Sequence, residues 1–94
     1  MNKLEKQKVM NSVKLANDML QLDLEVGIVG NTIYLIEDSK RFAVVEGFDL
    51  LDALLAGISC GERGGEPKSC RSFSADEWET FQHGYQYGRI MGGK

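Results

Sequence analysis

The chain offers little on which chemistry could be built. Its 94 residues include one histidine, one proline, one tryptophan and two cysteines. A nucleophilic relay needs a nucleophile, a base and an orienting acid, and the lone His83 specifies no such set. A zinc centre wants four ligands. Cys60 and Cys70 with His83 would need Glu62 or Glu66 as the fourth, and neither a C-x-x-C pair nor a second histidine supports them. The fourteen acids form many pairs, none singled out by spacing for acid–base work. No catalytic residue, metal or cofactor is therefore expected, and the chain is not expected to be an enzyme. Long apolar runs are also missing. None approaches the ~20 residues of a membrane span, and the basic start, Met1 to Lys8, leads into no apolar signal-type segment. These absences predict a cytoplasmic protein without a membrane partner. Its thiols stay reduced by default, with a Cys60–Cys70 disulfide as the alternative.

Glycine is plentiful, at 11 residues, yet it forms no phosphate loop. Gly61, Gly64 and Gly65 follow a helical pattern and lack G-x-x-x-x-G-K-[ST], while Gly27-Ile28-Val29-Gly30 leads into a strand rather than a helix. The net charge of −3 conceals an uneven distribution. Lys3, Lys6, Lys8 and Lys14 outweigh Glu5 in the first fourteen residues. Residues 15–59 are acidic, with Lys40 and Arg41 the only bases. A nucleic-acid binder shows a basic face; four lysines on one short segment read as a solvated helix. No direct nucleic-acid contact is expected. The acidic middle would instead attract a basic partner surface.

Periodicity sets the fold. Val9, Val13, Ala16 and Leu20 make one apolar stripe and predict a helix over 3–21, with Asn2 as its cap and Glu5 reaching back. From Leu22 the period becomes two, with Leu22, Leu24, Val26 and Ile28 on one side. Gly30-Asn31 is a two-residue hairpin loop, which sets the register Ile28–Ile33, Gly27–Tyr34, Val26–Leu35 and Glu25–Ile36. A second strand follows over Thr32–Glu37, a turn over 38–41 and a third strand over Phe42–Glu46. An even-numbered turn would put Phe42 and Val44 on the face of Ile33 and Leu35, and Ala43 and Val45 beside Tyr34 and Ile36. Asp49 would cap a helix over 50–59 that Gly61 stops. Residues 61–72 hold the only proline and read as a loop. Ser74 with Glu77 forms a capping box, and Phe73 with Trp78 a hydrophobic staple, for a last helix from Ala75 to Arg89 or beyond. The expected fold is one α+β domain over residues 1–94: an N-terminal helix, a three-stranded antiparallel meander, and two C-terminal helices packed on the sheet.

Two surfaces are candidates for function. The first is the second sheet face, where Tyr34 and Ile36 stand near Asp23, Glu25 and Asp38 and are flanked by Lys40 and Arg41. An aromatic beside carboxylates has the composition of a small interface, unless the first or last helix covers it. Edge strands could alternatively accept a partner strand. The second surface lies on the last helix, where Gly84 and Gly88 leave a groove for another backbone, in this chain or in a second subunit, with Tyr87 free to be a contact. Trp78, Phe81 and Tyr85 read as core.

A chain under 100 residues, acidic in its middle and ordered helix, three strands, helix, helix, resembles small phage and mobile-element inhibitors, including anti-CRISPR proteins. The resemblance rests on size and element order alone. It implies a non-enzymatic module that docks on a host defence enzyme, nuclease or nucleoprotein and blocks it. The alternative from the residues themselves is a homo-oligomeric small-ligand binder assembled through Gly84 and Gly88, with Tyr85 or Tyr87 at its pocket. A third is a metal- or redox-responsive regulator using Cys60 and Cys70.

Overall fold

The computed structural model describes residues 2–37, 39–64 and 73–92. Its elements run α1 (Lys3–Leu20), β1 (Glu25–Val29), β2 (Thr32–Glu37), β3 (Lys40–Glu46), α2 (Phe48–Glu62) and α3 (Ala75–Gly92). The three strands form one open antiparallel sheet in the order β1-β2-β3, so the fold is α+β. The chain divides into two compact units, Met1–Leu51 and Asp52–Lys94.

In the first unit α1 begins where its cap dictates. The Glu5 amide donates to Asn2 Oδ1 at 2.8 Å, satisfying one of the amides left without an intrahelical acceptor. Val9, Val13 and Ala16 are the buried stripe of this helix. It ends at Gln21 in the left-handed conformation (φ 54°), and the Gln21 and Leu22 amides both donate to the Asn17 carbonyl. Asn17 then fastens the strand that follows. Its Nδ2 donates to the Leu24 carbonyl at 2.9 Å, and the Leu24 amide donates to its Oδ1 at 3.0 Å. A side-chain amide thus makes the two hydrogen bonds a neighbouring strand would make.

The first hairpin has the predicted register: Glu25 faces Ile36, Val26 Leu35, Gly27 Tyr34, Ile28 Ile33 and Val29 Thr32. Gly30 holds φ 61°, the positive angle that a turn with glycine first requires. The second hairpin differs. Glu37 pairs with Lys40, so the chain reverses over two positions instead of four, and Ser39 takes φ 64°. Ile36 faces Arg41 while Leu35 faces Ala43, which leaves Phe42 as the extra residue of a β-bulge. Because side chains alternate with period two, one added residue inverts every position after it. Val45 therefore pairs with Ile33 and is buried, and Val44 pairs with Tyr34 and is 45% exposed. The expected placement of Val44 on the core face and of Val45 on the opposite one is thereby corrected. Ile33 and Leu35, fully buried on the central strand, each contribute roughly 1.5–3 kcal/mol on burial.

The second unit is a helix pair. The sequence places α2 over 50–59, but it spans Phe48–Glu62; Asp49 lies inside its first turn, and Gly61 is buried within the helix. The left-handed residue at this end is Gly64, at φ 75°. The α3 capping box forms as expected: the Ser74 amide donates to Glu77 Oε1 at 3.0 Å and the Glu77 amide to Ser74 Oγ at 3.2 Å. Phe73 and Trp78 close the staple with ring centres 6.4 Å apart, and Trp78 stacks on Phe81 at 5.4 Å. Of the aromatics expected in the core, Phe81 is buried, while Trp78 and Tyr85 are half-buried.

Glycines set the distance between α2 and α3. A Cβ on Gly57 would fall on the Phe81 carbonyl and lie 2.9 Å from the Tyr85 nitrogen; on Gly61 it would meet the Tyr85 carbonyl and the Arg89 nitrogen. The contacts are reciprocal, since Gly84 meets Leu54 and Ile58, and Gly88 meets Ile58 and Glu62. Residue numbers rise together along both helices, so the pair is parallel. Two G-x-x-x-G stripes face each other with Cα–H groups aimed at carbonyl oxygens, a weak attraction repeated four times. A parallel pair needs a long return. The end of α2 at Glu62 and the start of α3 at Ala75 therefore lie about 20 Å apart along the helix axes, and the loop read over 61–72 falls, for residues 65–72, outside the described residues.

Candidate interaction surface

The sheet of the first unit has two unlike faces. Leu24, Ile33, Leu35 and Val45 are buried on one. The other is read from the register as three rows across the strands: Glu25–Ile36–Arg41, Gly27–Tyr34–Val44 and Val29–Thr32–Glu46. Glu25 and Glu46 are exposed at diagonal corners, Tyr34 and Ile36 are half-buried, and Val29 is 68% exposed. At Gly27 a Cβ would meet nothing within 4 Å, so the position beside Tyr34 on β1 is open space. The result is a shallow apolar strip with an aromatic at its centre and carboxylates at its margins.

The structure gathers part of the predicted set here. Glu25, Tyr34 and Ile36 share the face, and the backbone register brings Arg41 to the same row. Asp23 is exposed and precedes β1, while Lys40 pairs with Glu37 on the alternate row at the hairpin end. Asp38 lies outside the described residues. Val29, Val44 and Glu46 belong to the surface and were not picked out from sequence. For Val44 the bulge at Phe42 hides the assignment, whereas Val29 and Glu46 follow from the register.

Gly84 and Gly88 are closed against α2 of the same chain, the intrachain form of the expected close approach. Tyr87 is half-buried on α3. His83 is exposed, Cys60 is a half-buried thiol on α2, and Cys70 lies outside the described residues. Among the described residues no group of three or more His, Cys, Asp or Glu side chains is arranged to hold a metal ion, and no helix is long and apolar enough to cross a membrane. No family model, curated protein or solved structure matches the chain.

Proposed function

We propose that the chain is a non-enzymatic protein-binding module that works through the Tyr34 face of its sheet. One observation carries this reading: on that face the apolar side chains of Val29 and Val44 remain exposed beside a half-buried tyrosine, with carboxylates only at the rim. An apolar centre with a tyrosine anchor and a charged margin is the composition of an interface core and its rim. Glu25 and Glu46 favour a partner with basic groups at matching positions. The element order supports the narrower reading of a phage-type inhibitor that blocks a host defence enzyme or nucleoprotein.

The test is inhibition. The chain, titrated into purified RNA-guided nuclease complexes, is expected to reduce target cleavage at near-stoichiometric concentration. A Tyr34→Ala, Glu25→Lys, Glu46→Lys variant that keeps the native circular dichroism is expected to lose at least tenfold in potency, because one central aromatic is typically worth about 1.4 kcal/mol or more. Unchanged potency in the variant removes the face from the mechanism. Absence of inhibition and of binding across the panel removes the inhibitor reading.

A further inference from the structure

The Tyr34 face has a notch in it. Val29, Gly27 and Glu25 stand in line along β1 on this face, at alternate positions about 6.6 Å apart. The line runs from an apolar side chain, 68% exposed at Val29, to an exposed carboxylate at Glu25. Between them Gly27 contributes no side chain, and no atom lies within 4 Å of the place its Cβ would take. Tyr34, its cross-strand partner, therefore walls the gap without leaning across it. Asp23 extends the acidic end. It is exposed between buried Leu22 and Leu24, so alternation carries it to the side of Glu25.

Length, shape and charge together select the occupant. A valine, a bare glycine floor, a tyrosine wall and a carboxylate, met in that order, match a chain of methylenes that ends in a flat cation. Resting on the protein-binding reading of this face, we propose that the notch receives an arginine side chain of the partner. Its stem would lie over Val29 and Gly27, and its guanidinium would pack beside the Tyr34 ring and hydrogen-bond to Glu25. Arginine fits better than lysine, because its planar fork pairs with a carboxylate through two bonds, stacks on aromatic rings and is more weakly hydrated. Two bases of this chain stand nearby. Register places Arg41 in the row of Glu25 but two strands across, about 10 Å at the usual strand spacing. Lys14 lines, with Glu25, a groove on the α1 side of β1. On the face itself Asp23, Glu25 and Glu46 outnumber Arg41, and the acids at the notch are on its own strand, so the notch attracts a cation.

The experiment titrates the full chain with three acetylated and amidated Gly-X-Gly tripeptides, where X is arginine, citrulline or norleucine, and follows it by nuclear magnetic resonance. Citrulline keeps the shape of arginine without its charge, and norleucine keeps the stem alone. The arginine peptide is expected to shift the Gly27 amide and the Tyr34 ring saturably, with a dissociation constant on the order of millimolar, as suits one side chain. The other two peptides should bind at least fivefold more weakly. Glu25→Gln should bring arginine down to the level of citrulline. Gly27→Val, which fills the notch where no neighbour obstructs it, should abolish the shifts while the circular dichroism stays native. It should also lose inhibitory potency. Full potency in Gly27→Val, with potency lost in the Tyr34→Ala, Glu25→Lys, Glu46→Lys variant, would overturn the arginine notch and leave the face in place. Peptide binding at the notch can be measured whether or not any nuclease is inhibited, so the two proposals fail separately. Citrulline or norleucine binding as tightly as arginine, shifts centred on Met10 and Lys14, or no saturable shift at tens of millimolar peptide would each overturn the assignment.

Discussion

Gly84 and Gly27 both sit inside regular elements and answer to opposite constraints. At Gly84 an added methyl group would meet the Leu54 carbonyl, part of a helix backbone that cannot rotate aside. At Gly27 the same group would enter open space beside Tyr34. Alanine improves intrinsic helix propensity by about 1 kcal/mol, but overpacking a close contact typically costs about 1–3 kcal/mol and more where backbone must move. Gly84→Ala is therefore expected to lower stability by about 1–3 kcal/mol in urea unfolding. Gly27→Ala, relieved of the entropy of a strand glycine, is expected to be neutral or to gain up to about 1 kcal/mol. A gain of about 1 kcal/mol from Gly84→Ala would mean that the two helices stand further apart than described.

At the scale of elements, one residue joins helix to sheet. Asn17 ends α1 with its carbonyl and fastens the entry to β1 with its side chain. Asn17→Ala removes two hydrogen bonds and returns the Leu24 backbone to water, for an expected loss of about 1–2 kcal/mol. Amide exchange should accelerate at Leu24, while Val29, beside the turn, should stay unchanged. Equal acceleration along the whole strand would assign the tether a global role instead. Such tertiary hydrogen bonds leave no mark in a sequence, whereas local chemistry is legible there. Asn2 with Glu5 and Ser74 with Glu77 mark the starts of α1 and α3, and Gly30-Asn31 fixes the first hairpin register. The second register is not legible because a bulge is one residue of excess, and the alternation around Phe42 looks regular with or without it. The role of Gly61 is hidden for a related reason. A glycine ending a helix and a glycine buried in a helix crossing look alike until the partner helix is in place. The parallel pairing of Gly57 and Gly61 with Gly84 and Gly88 has no periodic signature.

At the scale of the molecule, the first unit holds the proposed binding surface, the Tyr34 face. In the second unit the glycine stripes of α2 and α3 are spent on each other. The Tyr34 face was partly legible, because strand alternation alone puts Glu25, Tyr34 and Ile36 together. Exposed Val44 was not, since its face depends on the bulge. The division predicts where a partner leaves its mark. Hydroxyl-radical footprinting of the chain, alone and in complex with an inhibited nucleoprotein, measures this at single side chains. Oxidation of Tyr34 is expected to fall severalfold on complex formation, while Trp78, Tyr85 and Tyr87 keep the rates of the unbound chain. Protection of Tyr85 or Tyr87 with Tyr34 unchanged would contradict the account and move the working surface to α3.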